Sequence, residues 1–206
     1  MEWPPGFFDR VDPTADRLFY STPRLVTHID EGAISAVGAL YEELGIDGEV
    51  LDLMSSWISH FGHAPRRLTV LGMSRPELDA NPHAAARVVH DLNAEPTLPF
   101  PDDSFDAAVC CVSVDYLTSP IEVFRDLARV VRPEGLFVCT FSNRLFPTKA
   151  IRGWLEATGR QRCAIVRAYF AEAGRWGEPQ VRLCTPIEHL GDPLFGVWAR
   201  NDRGPK

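Results

Sequence analysis

The chain of 206 residues has little lysine and no long apolar run, and both absences restrict what it can do. Lys149 and Lys206 are its only lysines, and the formal net charge is −7. Nucleic acids and membrane surfaces bind proteins that carry a concentrated positive charge. Because this chain is acidic overall, we expect neither as a partner. No stretch approaches the roughly 18 apolar residues of a membrane span. The start, from Met1 to Pro5, lacks the pattern of a signal peptide, so we expect a cytoplasmic protein.

Paired ligand motifs are missing as well. The five cysteines form no CxxC pair, and Cys110, Cys111 and Cys139 lie in apolar runs, which predicts reduced, buried thiols. The spacing His60-x-x-His63 lacks a third ligand, so we predict no metal site. Neither GxGxxG nor GxxxxGK occurs in the sequence. No motif therefore supports an enzyme that uses a nicotinamide or a nucleoside triphosphate as its cofactor.

Apolar patterning predicts an α/β fold built around a parallel sheet. Five near-continuous apolar runs suit strands that are buried on both faces. They are Val50–Leu53, Leu68–Met73, Val88–Asp91, Phe105–Val112 and Leu136–Phe141. Two later runs, Val181–Cys184 and Leu194–Ala199, predict an antiparallel edge, which makes seven strands in all.

Helical spacing lies before and between these runs. Apolar residues at intervals of three and four predict a helix over 34–44. Ser119, Pro120 and Glu122 have the pattern of a capping box that begins another helix, and Pro133-Glu134-Gly135 would end it. Two more helices are predicted over 148–158 and 161–173.

The predicted architecture is a single doubly wound α/β domain over 1–206, with a mostly parallel seven-stranded sheet. Residues 1–46 would form an N-terminal helical cap or lid, and residues 47–206 the core. In such sheets, ligands bind beyond the carboxyl ends of the strands. That rule selects the loops 54–60, 73–78, 91–93 and 112–117.

The segment around the fourth predicted strand carries a family resemblance. Leu98-Pro99-Phe100-Pro101-Asp102-Asp103-Ser104-Phe105-Asp106 leads into that strand, and Arg129-Val130-Val131-Arg132-Pro133-Glu134-Gly135 precedes the fifth. With Asp115-Tyr116-Leu117 between them, these pieces resemble the class I S-adenosylmethionine-dependent methyltransferases, specifically methyltransferase type 11. The resemblance is strong over 86–142 and fair over 48–85. It implies a Rossmann-like methyltransferase fold and S-adenosyl-L-methionine as the cofactor.

The resemblance implies a first cofactor motif directly after the first strand, where the family has a glycine-rich loop. This chain has Asp52 at the expected acidic position but Met54-Ser55-Ser56-Trp57 in place of the glycines. We expect Ser55 and Ser56 to offer hydroxyl and backbone N–H groups at a helix N-terminus. Trp57 would either form a wall of the cofactor pocket or fill it.

A second motif is implied at the end of the second strand, in Gly72-Met73-Ser74. Ser74 stands where the family usually has an acidic residue that accepts hydrogen bonds from the ribose hydroxyls, and a serine cannot form that charged pair. Glu77, one helical turn later, either substitutes for it or belongs to solvated helix surface.

The third motif, Asp91-Leu92-Asn93, matches the pattern that the family uses to bind adenine, although Asp91 could instead only cap its loop. After the fourth strand, Val112 and Ser113 would line the methyl-donor end of the cofactor.

Four side chains are candidates for catalysis: Tyr20, His28, Asp30 and Tyr116. We expect the first three, with Arg24, to lie in a segment that covers the strand ends, where His28 with Asp30 as its partner would accept a proton. The alternative is a cap that is held only by hydrogen bonds and aromatic packing.

Two functions remain in competition. The first is an S-adenosylmethionine-dependent methyltransferase that acts on a small molecule, and the second is a methyltransferase-like binding or regulatory domain without catalysis. The missing glycines and Ser74 favour the second function, whereas the intact Asp91 motif favours the first.

Overall fold

The computed structural model of the chain describes residues 2–202, so Met1 and Lys206, which entered the predictions above, lie outside it. The predicted seven-stranded sheet is confirmed, with strand order β3-β2-β1-β4-β5-β7-β6. The strands are β1 (Glu49–Leu53), β2 (Arg67–Gly72), β3 (Ala84–Val89), β4 (Phe105–Cys111), β5 (Val131–Phe141), β6 (Gln180–Leu183) and β7 (Phe195–Arg200). Strands β1 to β5 are parallel, while β7 pairs antiparallel with both β5 and β6, as the sequence predicts.

Helices cover both faces of the sheet. They are α1 (Asp16–Phe19), α2 (Glu31–Glu43), α3 (Arg75–Ala80), α4 (Pro120–Val130), α5 (Arg152–Leu155) and α6 (Gly159–Ala173), with a short 3-10 helix at Val114–Tyr116. Among residues 2–202, no helix is long and apolar enough to cross a membrane.

The central strands are apolar because helices bury them on two sides. On one face, Phe124 of α4 and Phe170 of α6 pack against Phe137 of β5. On the other face, Val37 and Tyr41 of α2 pack over the sheet in a second cluster. This two-sided burial explains the near-continuous apolar runs, and it leaves the carboxyl ends of the strands as the open edge.

The predicted start of α4 at Ser119 and Pro120 is confirmed, but its capping box and its predicted end are wrong. Ser119 is the N-cap residue, but its side chain forms no capping hydrogen bond. The helix ends at Val130 and β5 begins at Val131, so Pro133-Glu134-Gly135 lies within the strand. There the β4–β5 register shifts, and Glu134 has a φ of 65°. The turn residues therefore form a bulge in the sheet rather than a connection.

The predicted helix over 148–158 is also wrong. Only α5 is helical there, because Ile151 forms an isolated bridge with Arg10 and the segment before it folds as a turn. The following helix begins earlier than predicted, at Gly159, because Thr158 and Gln161 form a capping box.

The crossover from β1 to β2 contains no helix, which corrects the expectation that Ser55 and Ser56 begin one. Residues 54–66 are irregular and include Gly62 and Pro65, which both disfavour helix. Ser56 and Ser59 bond to side chains of α3 and of Asn81 beyond it, so their polar groups are satisfied without helical backbone.

Candidate functional site

A cleft of about 300 Å³ opens at the carboxyl ends of the strands, a volume typical of small-molecule sites. Residues that follow β1, β2, β3 and β4 all contribute to its lining. All of the residues predicted from the resemblance to bind the cofactor line this one cleft: Asp52, Met54, Ser55, Ser56, Trp57, Gly72, Met73, Ser74, Asp91, Leu92, Asn93, Val112 and Ser113.

The N-terminal segment runs across the cleft and lines it with Tyr20, Arg24 and His28. The Arg24 backbone N–H donates to Glu77 Oε1 at 2.8 Å, and Trp57 Nε1 donates to the carbonyl oxygen of Val26 at 3.1 Å. These two bonds join the segment to α3 and to the loop after β1.

Trp57 is a wall of the cleft and does not fill it. Its ring is half-buried, and its N–H group bonds to the covering segment, while Tyr20, His28, Asp52 and Tyr116 still line open space beside it. The cleft therefore stays open although the loop has no glycine.

Asp30 does not lie in the cleft, unlike the other three catalytic candidates. Its carboxylate caps α2 by accepting from Ala33 N–H at 2.8 Å and also accepts from Asp192 N–H at 2.6 Å. It pairs with His189 at 3.3 Å rather than with His28. The predicted His28–Asp30 pair is thus absent because Asp30 serves as a helix cap.

The loop after β1 is held closely against the end of β2. Ser55 N–H donates to the Leu71 carbonyl oxygen at 2.7 Å, and its hydroxyl donates to Asp52 Oδ2 at 2.6 Å. A Cβ at Gly72 would meet Ser55 O at 2.3 Å, so only glycine permits this approach. Met54 has a φ of 54°, a left-handed conformation that glycine adopts more easily.

The buried carboxyl group of Asp52 has an unusually high pKa. Burial raises its pKa to about 7, opposed in part by the Ser55 hydroxyl that donates to it. Asp115, after β4, is also fully buried, and burial raises the pKa of its carboxyl to about 7 as well. A substantial fraction of both groups is therefore protonated at neutral pH.

At the end of β2, the acidic group that faces the cleft belongs to Glu77. The strand ends at Gly72, two residues before Ser74, which is instead the N-cap residue of α3. Glu77 is only 7% exposed, accepts from Ser56 Oγ at 2.5 Å and lines the cleft. The interpretation of Glu77 as solvated helix surface is wrong.

Asp91 does cap its loop, since its Oδ1 accepts from the backbone N–H groups of Asn93 and Ala94. The Asn93 amide is engaged on both sides: its oxygen accepts from Thr118, and its nitrogen donates to Asp16 Oδ2. These bonds fix the loop, and no hydrogen bond from a donor among residues 2–202 is recorded to Asp91 Oδ2.

The end of β4 forms the opposite wall. Val112 has a φ of 45°, a strained conformation for a β-branched residue. Ser113 Oγ donates to the Cys111 carbonyl oxygen at 3.0 Å. Tyr116 Oη accepts from Phe146 N–H at 2.9 Å, and burial raises the pKa of this phenol well above its usual value. Tyr116 therefore stays protonated.

Sequence reasoning missed several residues that line the cleft. Arg144 and Phe146 follow β5, whose carboxyl end the predicted loops omit, and Asp16 lies on α1. His60, considered only as a metal ligand, lines the cleft with a buried Nδ1 that has no partner among residues 2–202. Burial lowers its pKa to about 4, so the imidazole is neutral.

The second histidine of that pair lies elsewhere. His63 is exposed and contacts Glu42, and within residues 2–202 no group of three His, Cys, Asp or Glu side chains is placed to hold a metal ion.

A comparison of sequences finds methyltransferases. The family model described as "Methyltransferase domain" matches residues 50–139. A protein named demethylmenaquinone methyltransferase from Mycobacterium tuberculosis is 35% identical over 58% of this chain and 55% of its own length. The protein of the same name from a further Mycobacterium species is 34% identical over 46% of this chain and 45% of its own. The chain thus spans about half the length of the curated relatives it matches.

Solved structures with the same fold are more distant in sequence. A S-adenosylmethionine-dependent methyltransferase from Aquifex aeolicus has a TM-score of 0.57 at 15% identity, covering 82% of this chain and 91% of that one. The (4+2)-cyclase SpnF has a TM-score of 0.59 at 16% identity, covering 91% and 92%. At these identities the likeness concerns the fold alone, and one fold hosts several reactions.

The family model identifies residues 50–139 as a methyltransferase domain, and the sheet has the fold of the solved methyltransferases, so both findings confirm the resemblance. S-adenosylmethionine is the cofactor that goes with this domain. The polar groups of the cleft fit this cofactor. Glu77 after β2 and Asp91 after β3 are carboxylates, which accept hydrogen bonds of the kind that the hydroxyl and amino groups of a nucleoside donate.

Proposed function

We propose that this chain is an S-adenosylmethionine-dependent methyltransferase that acts on a small molecule. One observation carries the proposal: the residues that the family resemblance selects, which come from four separate loops, all line a single open cleft. A domain that had abandoned its cofactor would be free to close this space with Trp57, whose ring instead stands at the wall.

Three side chains of the cleft would hold the cofactor. Glu77 accepts hydroxyl hydrogens at the end of β2, as it already does from Ser56. Asp91, whose Oδ1 caps the loop after β3, would accept from an exocyclic amino group through its Oδ2. Trp57 and the covering segment would exclude water from the methionine end.

S-adenosylmethionine, when bound, supplies an electrophilic methyl group on a sulfonium centre. The task of the chain is to bring a nucleophile in line with that methyl group, which can suffice for transfer. His28 would accept the proton of the acceptor. It lines the cleft, and partial burial lowers its pKa, which keeps the imidazole neutral. Tyr116 is held by Phe146 and orients the acceptor as a hydrogen-bond donor.

The test is transfer of a tritium-labelled methyl group from S-adenosylmethionine to candidate acceptors, with S-adenosylhomocysteine release measured in parallel. Demethylmenaquinone is the first acceptor to test, because the curated relatives are named for it. We expect labelled product and a lower rate for His28→Gln, with Arg17→Gln, an exposed change on the same segment, as the control. Binding of S-adenosylhomocysteine without transfer to any acceptor would favour a binding module instead.

A further inference from the structure

The cleft contains an arginine, Arg24, that forms no ion pair with a carboxylate of residues 2–202. Arg24 Nη1 is buried and has no hydrogen-bond acceptor among residues 2–202. Arg24 also forms no ion pair of 4 Å or less with any carboxylate of these residues. A buried guanidinium N–H without an acceptor is costly, so this group needs an explanation.

The position of the guanidinium is fixed by its surroundings. Its Cζ lies 4.5 Å from the centre of the Phe19 ring and 5.5 Å from that of Phe146, within the range of cation–π contacts. Nη2 donates to the Phe19 carbonyl oxygen at 3.1 Å, and the backbone N–H of Arg24 donates to Glu77. The group is therefore held in place before any ligand arrives.

No carboxylate that lines the cleft lies within ion-pair distance of the Arg24 guanidinium among residues 2–202. Glu77 Oε1 accepts from the Arg24 backbone and its Oε2 from Ser56, so this carboxylate does not pair with the guanidinium. Arg144 pairs with Asp192 at 2.7 Å, and Asp16 pairs with Arg10. Arg24 is thus a buried cation of the cleft that is paired with no carboxylate of residues 2–202, and its Nη1 is available to an anionic ligand.

We propose that Arg24 binds a carboxylate in the cleft. This proposal rests on the proposed function, because the cofactor and the methyl acceptor are the two ligands that would carry the carboxylate. The planar guanidinium suits a carboxylate because its N–H groups lie in one fork, which a lysine ammonium cannot reproduce. The carboxylate belongs either to the amino-acid end of the cofactor or to the methyl acceptor. These two sources share one chemistry and differ in which ligand loses affinity when Arg24 changes.

The first arm tests the cofactor by calorimetric titration. S-adenosylhomocysteine carries a carboxylate, whereas 5′-methylthioadenosine is a related nucleoside without the amino-acid end. If the cofactor is the source, Arg24→Gln weakens S-adenosylhomocysteine roughly tenfold to a hundredfold, as expected for a charged hydrogen bond, and leaves 5′-methylthioadenosine unchanged. Arg24→Lys should recover only part of the loss, and Arg17→Gln is the matched control.

The second arm tests the acceptor with benzoate and benzamide in the presence of saturating S-adenosylhomocysteine. If the acceptor is the source, wild type prefers benzoate and Arg24→Gln loses that preference. Each arm compares a probe that carries a carboxylate with a probe that lacks one. The proposal is overturned if Arg24→Gln changes the affinity ratio by no more than about twofold in both arms, or if it weakens the probes without a carboxylate as much as those with one. Failure of the proposed function is different, because wild type then binds neither nucleoside. Benzoate and benzamide are in that case titrated without nucleoside, and the carboxylate proposal is overturned as well if wild type does not prefer benzoate or if Arg24→Gln keeps the preference.

Discussion

Replacement of Gly72 by alanine should displace the loop that stands in place of the glycine-rich motif. The new Cβ would lie 2.3 Å from the carbonyl oxygen of Ser55, whereas real Cβ contacts are essentially never below 3.0 Å. The loop must therefore retreat by about 0.7 Å, which is the difference between those two distances. That movement stretches the 2.7 Å bond from Ser55 N–H to Leu71 beyond the usual range of 2.7–3.2 Å.

The energetic consequence combines two effects. Loss of one hydrogen bond costs about 1 kcal/mol, and overpacking of a tight site costs about 1–3 kcal/mol. We expect Gly72→Ala to lower the free energy of unfolding by about 2–4 kcal/mol and to weaken S-adenosylhomocysteine binding, because Ser55 also contacts Asp52 in the cleft.

Urea unfolding followed by circular dichroism measures the first effect, and calorimetric titration measures the second. Gly177→Ala is the matched control, because its φ is not positive and the nearest atom to a new Cβ is an ordinary 3.7 Å away. If Gly72→Ala matches wild type in both stability and affinity, the loop does not rest on Gly72 and our description of the site is wrong.

Three further changes probe strain, a buried charge and a buried acid. Met54→Gly should be more stable than Met54→Ala by about 1 kcal/mol in urea unfolding, because only glycine relieves the left-handed backbone. Lys149→Met should lower stability by about 3 kcal/mol, since this lysine is 1% exposed and lies 3.3 Å from the buried carboxylate of Asp16; the exposed Arg152→Met should change little. Burial raises the folded-state pKa of Asp52 from 3.8 to about 7, so its contribution to stability falls as pH rises from 3.8 through 7. The free energy of unfolding of Asp52→Asn, measured relative to wild type in matched unfolding curves, should therefore increase by on the order of a few kcal/mol as the pH is raised from about 4 to about 8.

The parts of the fold that the sequence predicts are those with a strong local pattern. Strands β4 and β5 and helix α4 follow from long apolar runs and from a clear apolar stripe, because helices bury these strands on both faces. The sequence pattern predicts too late a start for β3, because its first residues, from Ala84 to Ala86, are small and partly exposed at the edge of the parallel part of the sheet.

Contacts between distant segments explain the errors. The absence of a helix after β1 depends on Ser56 bonding to Glu77 and Ser59 bonding to Asn81, residues more than twenty positions away. The role of Pro133-Glu134-Gly135 depends on the β4 register, which no local pattern encodes.

In the site, too, local sequence motifs predict the positions of some residues, whereas contacts between distant segments decide the roles of others. Residues selected by family motifs do line the cleft, since those motifs mark the ends of the strands. Asp30 and Glu77 were harder to place, because a carboxylate near a helix start serves equally well as a cap or as a ligand. Only the neighbours decide: Asp192 and Ala33 engage Asp30, whereas Glu77 faces the cleft.

Calorimetric titration of S-adenosylhomocysteine into the wild-type chain tests most directly whether the loop without glycines still forms a cofactor site. The open cleft and the acceptors Glu77 and Asp91 predict one ligand bound per chain, with an accompanying rise in the unfolding temperature. No heat and no thermal shift at millimolar ligand would contradict the account, and would mean that the cleft is no longer a cofactor site.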